Sequence, residues 1–152
     1  MGKQWLVGWL CVLPMWLGCS GLARTDPQVQ YLNSGRVLRA DLPFSEAVRV
    51  GKMLFVSGQI GVLPSTMQLV AGGIRAEAEQ AIRNIQAVLE AQGYELKDVV
   101  KCTVMLADLS EWSAFNDVYR RFFHPPYPAR SAFGARELAL GARVELECIA
   151  AK

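Results

Sequence analysis

The 152-residue sequence has a single histidine, His124, and contains neither a Cys-x-x-Cys nor a His-Glu-x-x-His spacing. Structural zinc centres are built from such clusters of thiolates and imidazoles, so no metal site is expected. Charge of one sign is equally scarce. Lys and Arg total 16 against 14 Asp and Glu, leaving a formal net charge of +2. A dedicated nucleic-acid binder gathers a basic excess on one face, and this chain shows no such excess and no basic stripe interleaved with aromatics. A membrane-spanning run is also missing: the apolar stretch from Trp5 to Leu17 falls short of the roughly 20 residues that a spanning helix needs. With 52% hydrophobic and 20% charged residues, what is present suffices for the core of one domain and excludes wholesale disorder.

The apolar stretch reads as an address. Lys3 is the only charge before Arg24, and small residues follow Leu17. A basic start, a short apolar run and small residues make a secretory signal, and Gly8 and Pro14 count against a buried helix there. Leu17-Gly18-Cys19-Ser20 is similar to a bacterial lipobox, with Trp16 where an aliphatic residue is usual; Cys19 would then carry a lipid and attach the protein to a membrane. Cleavage after Gly21-Leu22-Ala23 is the alternative. The expected organisation is a leader over 1–23, a tether over 24–39 and a folded domain over 40–152. The expected location is exported, periplasmic or membrane-anchored, and cytoplasmic if the leader does not function. Once the leader is removed only Cys102 and Cys148 remain in the folded body. Both lie in apolar strand-like runs, so buried free thiols are expected, although an exported protein could pair them.

Alternation and turn residues predict strands at 45–50 and 53–59, joined through Gly51-Lys52 as a hairpin. Ile74, Ala78, Ala81, Ile82, Ile85, Val88 and Leu89 recur at helical spacing, predicting an amphipathic helix that Gly93 terminates. A strand over 98–106 follows, with Val100, Cys102, Val104 and Leu106 on one face. Ser110 is the expected N-cap of a second helix, whose stripe of Trp112, Phe115, Val118, Tyr119 and Phe122 reads as core. His124-Pro-Pro-Tyr-Pro128 ends that helix, leaving His124 as a cap or a solvated residue. Two final strands, over 130–137 and 143–150, flank a turn at Gly141. This order implies an α+β fold: one sheet, both helices on one face, and an open face that an oligomer partner would cover.

The chemistry points to Pro128-Ala-Arg-Ser-Ala-Phe133. A guanidinium is a planar fork that grips a carboxylate with two hydrogen bonds, so Arg130 at a strand start is a candidate anchor for a small organic acid. Spacing alone favours a plainer expectation, an ion pair with Glu145 or Glu147 on the next strand, or a solvated side chain. With Gly141 at a hairpin tip, Arg130 and Glu145 would stand on the order of 20 Å apart in one chain and share a site only across a subunit boundary. Glu145 and Glu147 flank Leu146, so both carboxylates point away from the helices.

These residues resemble those of a known family. Pro128-Ala-Arg-Ser131, followed by Glu145 in Val-Glu-Leu-Glu-Cys-Ile-Ala, is similar to the C-terminal signature of the Rid (reactive intermediate deaminase, YjgF) family. Val56-Ser-Gly-Gln-Ile60, the run from Ala81 to Gly93, Val99-Val-Lys-Cys-Thr-Val104 and Phe115-Asn-Asp-Val-Tyr119 extend the likeness over about 40–150. The resemblance implies a chorismate-mutase-like subunit assembled as a homotrimer, with clefts between subunits. It also implies hydrolysis of 2-imino or enamine acids to 2-keto acids and ammonia, with no cofactor. By position, Arg130 would clamp the substrate carboxylate and Glu145 would orient or activate water; Ser57 and Gly58 would line the cleft and Asn116 would support it. Two positions depart from the pattern: Ala132 stands where a cysteine is frequent, and Phe44 where a tyrosine is usual. An exported deaminase has no obvious supply of imines, which keeps a second function in view, a non-catalytic trimeric binding module for a small carboxylate. A ribonuclease is the weakest of the three readings, since no histidine lies among the candidate site residues.

Overall fold

The computed structural model describes residues 28–152 apart from Ala40 and Ser65. The leader, Cys19 and the first residues of the expected tether lie outside the described residues. Six strands, β1 (Val29–Leu32), β2 (Ala47–Val50), β3 (Met53–Ile60), β4 (Val99–Leu106), β5 (Ala129–Gly134) and β6 (Val144–Ala151), form one sheet in the order β1-β2-β3-β6-β4-β5. Helices α1 (Gly73–Ala91) and α2 (Trp112–Phe122) pack on one face of it. The α+β, chorismate-mutase-like architecture expected from the sequence is the one observed.

The helix periodicity reads through directly. Every α1 position expected in the core is buried, and Gly93, with φ 78°, ends the helix by donating its N–H to the Glu90 carbonyl. The facing layer comes from alternate strand residues, Leu54 and Val56 of β3, Cys102, Val104 and Leu106 of β4, and Leu146, Cys148 and Ala150 of β6. Phe115, Val118 and Tyr119 of α2 close the core.

Four local expectations are corrected. Val29–Leu32, placed in the tether, pairs antiparallel with β2 as an edge strand, and Val37 behind it is buried. Val100 does not share the face of Cys102: it is the extra residue of a bulge, between Val99 paired with Ala150 and Lys101 paired with Ile149, and so is exposed. Ser110 does not cap α2; it lies in a 3-10 turn before the helix, where its N–H donates to the Asp108 side chain. The last two strands are not a hairpin. Helix α2 is a crossover that brings β5 back parallel to β4, while β6 inserts antiparallel between β3 and β4.

That insertion sets Cys148 directly opposite Cys102, with Cα atoms 4.1 Å apart, and the two sulfurs are bonded. The expectation of free thiols is overturned because register, which composition does not reveal, makes them cross-strand neighbours. Replacing both with alanine is expected to lower unfolding free energy by about 2–4 kcal/mol, the usual effect of losing a loop-closing disulfide. Urea denaturation with and without reductant checks this; identical midpoints would show that the bond does not form.

Candidate active site

The sheet's open face becomes a site where β3 is irregular. Val56 pairs with Cys148 and Gln59 with Leu146, so Ser57 and Gly58 together oppose Glu147 in a bulge. The bulge turns Gln59 into the core and sets Ile60 opposite Glu145. The Glu145 side chain lies across Gly58. A Cβ there would overlap its Oε1 and come within 2.9 Å of its Cδ, so the carboxylate occupies space that only glycine leaves free. The Ser57 hydroxyl points elsewhere, donating to the Ser45 carbonyl at 2.7 Å, and its N–H donates to the Glu46 carbonyl. Ser57 thus secures the bulge to the segment entering β2.

Glu145 opens into a cleft of about 310 Å³ lined by Leu38, Leu42, Phe44, Ile60, Val62 and other apolar residues. Burial first, and then the neighbouring Glu147 carboxylate, push the Glu145 carboxyl above the ordinary glutamate range. Two buried polar residues of α1 hold the backbone behind the cleft. Asn84 donates to the carbonyls of Ile60 (3.1 Å) and Val62 (2.9 Å), and Glu77 accepts from the Arg143 N–H at 2.8 Å.

Arg130 belongs to the other face. It is in register with Cys102 on β4, so its side chain runs toward α2. Its Nη2 donates to Asn116 Oδ1 at 2.8 Å, and the guanidinium carbon lies 4.4 Å from the Tyr119 ring centroid and 4.7 Å from that of Trp112. The sequence-level expectation of an ion pair with Glu145 or Glu147 is corrected, because parity on the sheet points those carboxylates away. Arg130, Asn116, Trp112, Tyr119, Tyr127 and Pro128 line a second cleft of about 340 Å³. With one donor committed to Asn116 and its faces against rings, the guanidinium is oriented to offer its remaining edge to an anion. The buried Tyr119 hydroxyl has no partner among the described residues.

The structure therefore gathers Glu145, Gly58 and Phe44 in one cleft and Arg130 and Asn116 in another; Ala132 lies exposed on the β5 edge, two residues beyond Arg130. With β5 parallel to β4, Arg130 is level with Cys148 and three residues from Glu145 along the sheet, two strands away. That spacing puts their Cα atoms roughly 14 Å apart. The two positions are closer than a β5–β6 hairpin would set them, but within one chain the two side chains still do not meet. Trp112 and Tyr119, read as core, also frame the arginine. Their seven-residue spacing carried no sign of it, since a core stripe has the same period. Among the described residues no three His, Cys, Asp or Glu side chains gather closely enough to share a metal ion.

Residues 35–152 match the family model described as Endoribonuclease L-PSP. A 2-iminobutanoate/2-iminopropanoate deaminase of Capra hircus is 47% identical over 108 residues, spanning 71% of this chain and 79% of that one. Among solved structures, RidA from an Antarctic Psychrobacter superposes with a TM-score of 0.76 at 41% identity, covering 81% of this chain and 99% of that one. TdcF of E. coli with bound serine gives 0.75 at 32% identity, covering 81% and 98%.

A carboxyl whose folded pKa is raised binds its proton more tightly folded than unfolded, so ionising it costs stability as pH rises from the ordinary glutamate value. Glu145→Gln is therefore expected to raise the unfolding midpoint at pH 7, with the gain shrinking toward pH of about 4.3, where the unfolded-state glutamate protonates. Denaturation across that range checks the sign; a variant less stable than the parent at pH 7 would contradict it.

Proposed function

The chain belongs to the Rid (YjgF, endoribonuclease L-PSP) family, and from that premise we propose that it hydrolyses reactive 2-imino acids, or the enamines that tautomerise to them, to 2-keto acids and ammonia. The observation that carries the reading is Glu145: a carboxylate with a raised pKa, set over a glycine in a largely apolar cleft. Such a group is a stronger base than an exposed glutamate and titrates nearer neutrality. It takes a proton from water as the water oxygen bonds to the imine carbon, and the carboxyl so formed returns that proton to the imine nitrogen. The resulting carbinolamine then collapses: the hydroxyl proton passes by way of the Glu145 carboxylate to the nitrogen as the carbonyl forms, the C–N bond breaks and ammonia leaves. The net change is addition of one water and release of one ammonia.

Arg130, oriented by Asn116 and its aromatic neighbours, is the proposed carboxylate anchor. Since Arg130 and Glu145 occupy opposite faces of one sheet, we propose that Arg130 of a neighbouring copy completes the Glu145 cleft, in the homotrimer that the uncovered sheet face suits. Gly58 and Phe44 line this cleft; Ser57 fixes the bulge, and Ala132 adds only backbone groups beside the arginine. The relatives named deaminases support the activity, and the relative holding serine supports a ligand of amino-acid size. The nuclease in the family model's description finds little support here, because His124 is exposed beyond the end of α2 and lines neither cleft.

The proposed organisation keeps the leader over 1–23, with export to the periplasm and either lipidation at Cys19 or cleavage after Ala23. The Cys102–Cys148 bond supports an oxidising compartment. The mass of the mature protein distinguishes the two ends.

Ammonia release from an enamine made in situ by a threonine or serine dehydratase tests the activity. Glu145→Gln is expected to lose about 10²–10⁴-fold in kcat/KM, the usual scale for a general base. Arg130→Ala is expected to lose about 10–100-fold, the scale of a charge-assisted hydrogen bond. The parent rate should fall at acid pH as Glu145 protonates. Ligand binding abolished by Arg130→Ala but untouched by Glu145→Gln, with no turnover in the parent, would instead indicate a carboxylate-binding module.

A further inference from the structure

Four polar side chains are buried among the described residues: Glu46, Gln59, Glu77 and Asn84. Gln59 belongs to the β3 bulge, and Glu77 and Asn84 hold backbone behind the Glu145 cleft. Glu46 has no part in the chemistry described so far. It is only 3% exposed, and among the described residues its carboxylate is held by neutral donors. Oε2 accepts from the Ser34 N–H at 2.8 Å and from the Ser34 hydroxyl, and the Leu38 N–H donates to Oε1 at 3.5 Å. The Glu46 N–H donates in turn to Asn33 Oδ1 at 2.8 Å. A buried carboxylate is costly unless such donors meet it, so these bonds fix where Asn33, Ser34 and Leu38 lie.

The connection between β1 and β2 also supplies one wall of the cleft, through Leu38, Leu42 and Phe44, and Glu145 is the one ionisable group lining it. On its other side Glu46 meets the bulge. The Glu46 carbonyl accepts from the Ser57 N–H at 3.1 Å, and the adjoining Ser45 carbonyl accepts from the Ser57 hydroxyl. Ser57 precedes the Gly58 across which the Glu145 side chain lies. One residue thus ties the wall that keeps water from Glu145 to the bulge that seats it. An apolar side chain would fill the same space without fixing the wall. We infer that Glu46 is a positioning residue for the proposed reaction, acting by locking the wall of Leu38, Leu42 and Phe44 against the bulge beneath Glu145. The inference rests on the proposed function for its kinetic consequences, but the effect on Glu145 itself does not require turnover.

Burial is the first cause of the raised Glu145 pKa, so a loosened wall admits water and lowers it. The neighbouring Glu147, and the Arg130 proposed to approach from another copy, are the same in parent and variant. Glu46→Ala is expected to lower kcat about tenfold and to change KM less than about threefold, since the carboxylate anchor is untouched. The acid limb of its kcat/KM profile is expected at lower pH, a shift that lost stability alone would not produce. Glu46→Gln, whose carbonyl still accepts from Ser34, is expected to restore most of kcat. Carbon-13 titration of the side-chain carboxyls, with Glu145 assigned by its loss in Glu145→Gln, follows the same shift without chemistry. Ser34→Ala, which removes one donor and leaves the charge, is expected to lower the Glu145 pKa less than Glu46→Ala and to add nothing in that background. It decides the matter if Glu46→Ala does not fold. A parent that turns nothing over would end the deaminase reading, while the Glu145 titration still decided this inference. Glu145 titrating in the folded variants as it does in the parent, or a kcat loss with the acid limb unmoved, would overturn it.

Discussion

Successive side chains on a strand point to opposite faces, and in this molecule that alternation separates the two charged groups on which the proposed chemistry depends. β6 sends Leu146, Cys148 and Ala150 into the core and so must send Glu145 and Glu147 to the uncovered face. β5 runs parallel to β4 in a register that sends Arg130 toward α2. No rotamer change reconciles the two, because a sheet layer lies between them. A site needing both a carboxylate and a guanidinium is for that reason incomplete in a single copy, and the open face and edge strand β5 become the natural places for another.

The rest of the site follows from making the carboxylate usable. An acid on an exposed sheet face would be an ordinary surface glutamate. Here the β3 bulge brings Gly58 beneath it, the loops flanking the cleft reduce its access to water, and Glu147 adds like charge. A carboxyl held this way is expected to cost stability at neutral pH, a common exchange where a group is held for reaction and not for packing. Helix α1 supports the arrangement from behind: buried Asn84 holds the carbonyls of Ile60 and Val62, which line the cleft, and buried Glu77 holds the Arg143 N–H two residues before Glu145.

What the sequence made legible was local and periodic. The α1 face, the β2–β3 turn and the outward direction of Glu145 and Glu147 all follow from spacing, and the resemblance singled out Gly58, Asn116, Arg130 and Glu145, which lie in two separate clefts of one chain. What it hid was pairing. Nothing in 130–150 says that β5 turns back to β4 while β6 slips between β3 and β4, because antiparallel and parallel partners share the same alternation. From that one ambiguity came the mistaken hairpin, the expected ion pair and the free thiols, since Cys102 and Cys148 meet only in the true register. Trp112 and Tyr119 were hidden for another reason: rings that frame a cation are spaced like rings that fill a core.

The central claim is that a working site takes Glu145 from one copy and Arg130 from another. Co-refolding Arg130→Ala and Glu145→Gln chains in equal amounts tests it, because each is deficient alone but a mixed assembly contains clefts with both native residues. Random mixing into a ring predicts recovery of about a quarter of the parent deaminase rate. A mixed assembly no more active than its parts, when both variants are shown to have exchanged subunits, would contradict the account.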